Sequence, residues 1–124
     1  MFHYNLEQVA STLSVLHLNQ KTDDFAEKSM TTLFAFGQHN IGMVRFEGST
    51  PWEEHPHDEF LLVVEGQTTV VLKKDEEEIT IVGKKGDVLF VPGGSWHRQD
   101  TQGPVALMYI TDKSGTQHTA ETPT

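Results

Sequence analysis

The feature that most limits the fold of this chain is the rhythm of residues 31 to 111. Short runs rich in β-branched and aromatic residues recur at roughly 31–37, 41–47, 59–65, 67–73, 77–82, 87–92, 95–99 and 105–111. Between them stand His39-Asn40, Gly48-Ser49-Thr50-Pro51, Gly66, Lys74-Asp75, Gly83-Lys84-Lys85-Gly86, Pro92-Gly93-Gly94 and Gly103-Pro104. These residues turn a chain for separate reasons: glycine accepts positive φ, proline fixes φ, and Asn and Asp bond their own backbone. Strands at this spacing predict a β-sandwich or a small barrel. A parallel sheet would need crossovers of a dozen or more residues, usually helical. No gap supplies one, so the expected class is all-β.

The flanks differ. Leu6, Val9, Leu13 and Leu16 recur at helical spacing behind Asn5, a residue suited to cap a helix N-terminus, so a short amphipathic helix is expected within Leu6 to Leu18. Residues Asn19 to Ser29 are polar and read as a linker, and Lys113 to Thr124 read as a loose Thr-, Gln- and Gly-rich tail. The expected organisation of the 124 residues is therefore an arm and linker over 1–29, one β-barrel over 30–112 and a flexible tail over 113–124.

Charge and composition exclude several functions. With 9 basic against 18 acidic residues the formal net charge is −9. Binding phosphates requires Lys and Arg to displace counterions, so nucleic acid is not an expected partner. The absence of cysteine removes disulfides, thiolate metal sites and thiol nucleophiles, leaving nitrogen and oxygen as the only metal donors. No apolar run approaches a membrane span, and Met1 to Leu6 lack the charged lead and apolar core of a signal peptide. A soluble cytoplasmic protein with no membrane partner is the expectation.

Two stretches carry chemistry. In Gly86-Asp87-Val88-Leu89-Phe90-Val91-Pro92-Gly93-Gly94-Ser95-Trp96-His97 a strand enters a Pro-Gly turn that delivers a histidine. The spacing of Gly86, Pro92, Gly94 and His97 resembles the second signature motif of the cupin superfamily, although Thr101 stands where that motif carries Asn. The stretch from Gly48 to Gly66, with Trp52-Glu53-Glu54-His55-Pro56-His57-Asp58-Glu59 at its centre, resembles the first cupin motif in altered form. Glu59 and Gly66 keep the family spacing, while counting back from Glu59 puts Glu53 and His55 at the two histidine positions. The alternative pair His55 and His57 would contract the loop before Glu59. Residues 53, 55, 57 and 59 would share one face of a continuous strand, so parity allows either register.

The resemblance implies a double-stranded β-helix, or jelly-roll, cupin barrel with a short N-terminal helix. It also implies a site in which Glu53, His55, Glu59 and His97 hold a divalent transition ion (Fe, Mn, Ni, Co or Zn). Imidazole and carboxylate suit all of these ions, so geometry and supply choose among them. Two carboxylates converging in a low-dielectric cavity repel unless a cation intervenes or one takes up a proton. His57 is the candidate for moving protons, Asp58, Glu54 and Gln99 are candidate acceptors for the imidazoles' second nitrogens, and Arg45 could hold a substrate carboxylate or lie at the surface. The implied activity is that of a metal-dependent oxygenase or isomerase acting on a small polar, oxygen-rich molecule. The alternative is a non-catalytic small-ligand-binding barrel, metal-free or with a structural metal. Because the run 59–65 is apolar on both faces, a homodimer is expected, with Trp96 a possible contact, unless the N-terminal helix covers the outer face.

Overall fold

Seventeen residues, Trp96–Asp112, form the strand around which the rest of the protein assembles. In chain order the computed structural model contains β1 (Leu16–His17), β2 (Met30–Phe36), β3 (His39–Ser49), β4 (Trp52–Glu54), β5 (Glu59–Glu65), β6 (Gln67–Lys74), β7 (Glu77–Lys84), β8 (Val88–Val91), β9 (Trp96–Asp112) and β10 (Gln117–Thr119). Two helices, α1 (Leu6–Thr12) and α2 (Ala26–Ser29), precede the barrel. The structure describes residues 1–18, 26–113 and 117–119. Among these the strands form one hydrogen-bonded sheet that closes as a jelly roll, antiparallel throughout except where β1 lies parallel to β3.

The two runs expected at 95–99 and 105–111 are one strand, because Gly103-Pro104 does not turn the chain. Along one edge of β9 residues 96–97 pair with β4 and residues from Asp100 onward with β3, while along the other residues 96–100 pair with β6 and 106–110 with β5. The change from β6 to β5 falls around residues 101–105, and there the register with β3 also shifts: Thr101 pairs with Gly48 and Val105 with Phe46, so β9 carries extra residues at 102–104. A bulge tolerates proline, whose missing N–H would otherwise break the ladder. Gly66 sits against this crossing with φ +79°, and a Cβ there would lie 2.2 Å from the Pro104 carbonyl oxygen. Only glycine fits both the conformation and the space.

Strand alternation sorts the apolar residues into two cores. Inside the barrel Phe46, Leu61, Val63, Val70, Leu89, Val91, Val105 and Leu107 pack together. On the outer face Met43, Val64 and Ala106 pack with Leu33 and with Ala10 and Leu13 of the N-terminal arm. Helix α1 therefore covers part of the outer face of β5, the within-chain arrangement that stood against dimerisation. Asn5 caps it as expected, its side chain accepting the Gln8 N–H at 3.0 Å. The helix stops at Thr12 rather than near Leu18: the Ser11 and Thr12 hydroxyls bond back to Gln8 and Val9 carbonyls, and Leu16 pairs with Phe46 in β1. Residues 26–29 of the expected linker form α2, while 19–25 lie outside the described residues. In the segment expected as a tail, Gln117–Thr119 pair with β4, and 114–116 and 120–124 lie outside the described residues.

Candidate metal centre

The site is built by register. Glu53 pairs directly with His97 across β4 and β9, so their side chains leave the same face at the same level. Glu59 enters from the start of β5. His55 lies in the loop that joins β4 to β5, and backbone contacts to the Pro92-Gly93-Gly94 turn hold that loop in place. Gly94 N–H donates to the His55 carbonyl at 2.9 Å, and Gly93 N–H donates to the Asp58 carboxylate at 2.9 Å. A Cβ at Gly93 would meet the Pro56 carbonyl oxygen and the His57 carbonyl carbon, each at 2.8 Å. The turn that delivers His97 is thus docked onto the loop that delivers His55.

Four side chains converge as a result. The Nε2 atoms of His55 and His97 lie 3.7 and 3.9 Å from one oxygen of Glu53, and each lies 3.6 Å from an oxygen of Glu59. The imidazole rings are 5.1 Å apart and tilted by 36°. Among the described residues, Glu53, His55 and His97 form a group whose ligand atoms lie within 4.8 Å of one another. Donors held about 2.1 Å from a central ion in tetrahedral array stand roughly 3.4 Å apart. The four nitrogen–oxygen separations, 3.6–3.9 Å, lie a few tenths of an ångström above that value.

Electrostatics point the same way. Glu59 is 9% exposed and His97 2%. Burial, and after it the charge of Glu53, pushes the Glu59 carboxyl up from 4.5 to about 8. At neutral pH the metal-free site thus holds a proton that a cation could replace.

Other expected site residues stand elsewhere. His57 faces away from the cluster, 57% exposed, with Nε2 3.9 Å from Asp112 at the cavity rim. The period-two expectation fails for it because residues 55–58 form no strand, with Pro56 interrupting any extended run. Asp58 accepts from Gly93, and the Gln99 side-chain oxygen accepts from the Thr68 hydroxyl. Arg45 points outward, donating to the Leu13 carbonyl at 3.2 Å and to Glu65 at 2.9 Å. Thr101, at the expected Asn position, accepts from Gly48 N–H across the bulge between β3 and β9.

A cavity of about 440 Å³ opens beside the cluster. Tyr109 on β9 lines it together with Glu59. Its hydroxyl occupies the space that a Cβ on Gly42 would fill, 2.5 Å from that position. Burial, then the Glu59 charge, raises the Tyr109 phenol, keeping it protonated and able to donate. Sequence reasoning missed this residue. The signal was Gly42 within a strand, which often marks a close approach by a neighbour.

A small jelly-roll barrel with acidic and imidazole side chains gathered at one end of its cavity defines a class of protein. The chain belongs to the cupin domain family, whose family model matches residues 42–111. Solved structures share the fold. A cupin-2 domain containing protein from Shewanella frigidimarina is 21% identical over 89% of this chain and 94% of its own, with a TM-score of 0.68. Hydroquinone 1,2-dioxygenase from Sphingomonas, solved with 4-hydroxybenzoate bound, is 19% identical over 90% of this chain and 74% of its own, at a TM-score of 0.66. Oxalate decarboxylase from Bacillus subtilis, which has Mn(II) centres, is 19% identical over 72% of this chain and 26% of its own, at a TM-score of 0.61. No curated protein sequence matches the chain. Among the described residues no helix is long and apolar enough to cross a membrane.

Proposed function

We propose that this protein is a metal-dependent cupin enzyme, an oxygenase or isomerase, in which Glu53, His55, Glu59 and His97 hold one divalent transition ion for a small molecule bound in the cavity. The observation that carries the reading is that the two imidazoles, from the β4–β5 loop and β9, each lie 3.6–3.9 Å from an oxygen of both carboxylates, from β4 and β5, beside the cavity. A bound ion would supply Lewis acidity towards a substrate oxygen. The chain's own groups would orient the substrate: the Tyr109 hydroxyl donates to it, and the apolar wall excludes water. His57, beside Asp112 at the rim, would pass protons between cavity and solvent.

The experiment is metal analysis of protein purified without chelator. Close to one equivalent of a transition ion per chain is expected, lost in His97→Ala and in Glu59→Ala. The raised Glu59 carboxyl favours a second reading, a metal-free barrel that binds a small ligand without reaction, since a protonated Glu59 satisfies the site without a cation. Folded, metal-free protein that still binds small molecules after metal is offered would establish that reading.

A second copy of the chain is the partner we propose for the outer sheet face. Phe34, Ile41, Ile110, Phe60 and Phe90 are partners in register across β2, β3, β9, β5 and β8, forming one apolar row with Tyr4 stacked on its Phe34 end. Phe34 is 36% exposed and Phe90 59%, with Val88 beside them at 56%. Aromatic side chains offer about 150–250 Å² each. The row and its neighbours therefore supply several hundred of the roughly 800 Å² per partner that a stable dimer buries. Two acidic chains approach most easily through an uncharged face. Trp96 stands apart from this row, paired with Glu54 and Lys73.

A further inference from the structure

The cavity has a chemical bias that the cluster alone does not reveal. Away from the four donors its wall is apolar, with Leu16, Val44, Phe46, Leu61 and Leu107 prominent, and a volume of about 440 Å³ leaves room for a single-ring molecule. Its remaining polar groups, among them Gln99, Tyr109, Asn40 and Thr111, are neutral hydrogen-bonding side chains. Among the described residues every charge on the wall belongs to an acidic residue or to the two imidazoles. Glu53 and Glu59 lie at the cluster and Asp112 at the rim, and among the described residues no Lys or Arg lines the cavity.

Cations from adjoining strands are engaged elsewhere. Arg45 is held on the outer face by Glu65 and the Leu13 carbonyl, and Arg98 lies 5.5 Å above the Trp52 ring. A divalent ion would balance the two glutamates, and Asp112, beside His57 at the rim, is a third acidic group on the wall. A carboxylate ligand entering this cavity would lose its hydration against apolar wall without meeting a guanidinium or ammonium in exchange. Among the described residues it would meet neutral donors such as the Tyr109 hydroxyl, and an ion whose charge the two glutamates already balance.

From this wall we infer that the site selects an uncharged molecule of about one aromatic ring, presenting a hydroxyl or carbonyl oxygen to the cluster and to the Tyr109 hydroxyl, and that it discriminates against carboxylates. The inference rests on the cavity being the ligand site proposed above and narrows its substrate class. The oxygen-rich molecule expected from sequence is replaced by one with an apolar body and a single polar end.

Benzyl alcohol and benzoate test it, being similar in size and different in charge. Both are titrated into the full chain near neutral pH, metal-free and zinc-loaded, and followed by NMR shifts of cavity residues. Benzyl alcohol binds more tightly by about tenfold or more in both states, as expected when a charge must be buried without a partner. Asp112→Asn narrows the gap several-fold by strengthening benzoate alone. Asn40→Arg, which brings a cation to the wall, shifts the preference towards benzoate. Benzoate binding as tightly as the alcohol, or neither ligand binding to correctly folded protein, overturns the inference. Zinc titration is read separately: failure to bind zinc sinks the metal reading, while the metal-free comparison still decides the charge preference.

Discussion

Replacing Glu59 with Gln in the metal-free protein separates the cost of the site from its use. The carboxyl is buried beside Glu53 and pushed from 4.5 to about 8. Between those two pH values the native state holds a proton that the unfolded chain has released, so stability falls as pH rises. The contribution is complete below about pH 4.5, is lost progressively up to about pH 8 and changes no further above it. At 1.36 kcal/mol per unit the whole loss is about 5 kcal/mol, of which about 3 has gone by pH 7. Gln keeps the shape of Glu and cannot ionise. Urea unfolding in the presence of chelator, for wild type and Glu59→Gln at several values from about pH 5 to 8, should show the variant gaining on wild type by roughly 1 kcal/mol per pH unit. A divalent ion should then reverse the order, stabilising wild type by mass action and leaving the variant unchanged. Parallel pH curves for the two proteins, or a wild type more stable than the variant near pH 8 without metal, would refute the reasoning.

Further outcomes follow from other parts of the fold. Gly66→Ala places a Cβ against the Pro104 carbonyl at a positive φ and is expected to cost at least about 2 kcal/mol in chemical denaturation; a change below 0.5 kcal/mol would contradict the packing described for that crossing. Asn5→Ala removes the α1 cap and should cost about 1 kcal/mol, with faster amide exchange confined to residues 6–12. Phe90→Asp should convert a dimer to a monomer in light scattering without altering the circular dichroism of the fold, and a wild type monomeric at micromolar concentration would remove the proposed interface. Tyr109→Phe should weaken benzyl alcohol several-fold and leave metal stoichiometry intact, which separates ligand contact from metal retention.

Much of the architecture was legible because it is written in local, short-period signals. The runs at 31–37, 41–47, 59–65, 67–73 and 77–82 each became a strand, since alternation and turn residues act over a few positions. Gly103-Pro104 was a true local irregularity read with the wrong consequence: the sequence shows that the ladder is interrupted, while only tertiary pairing shows that the strand continues. Leu16 fitted the helical period and went to a strand because its partner Phe46, thirty residues on, offered more than another helical turn. At the site, His97 was visible through turn chemistry, whereas the fates of His57 and Arg45 depend on loop course and strand face. Period-two parity carries such information only where the backbone is extended. Tyr109 escaped because its placement depends on the emptiness of Gly42 on a neighbouring strand, a relation between distant positions that one sequence leaves almost unmarked.

The docking of the Pro92-Gly93-Gly94 turn onto the loop from His55 to Asp58 has a bearing on how this protein could change over time. Neither imidazole is carried by an independent piece of chain, so a side chain appearing at position 93 would press on the backbone at Pro56 and His57 and displace His55, although 93 itself bears no donor. Drift at either location would have to be matched at the other, and relatives that lose glycine at the equivalent of 93 should show a compensating alteration in the opposite loop.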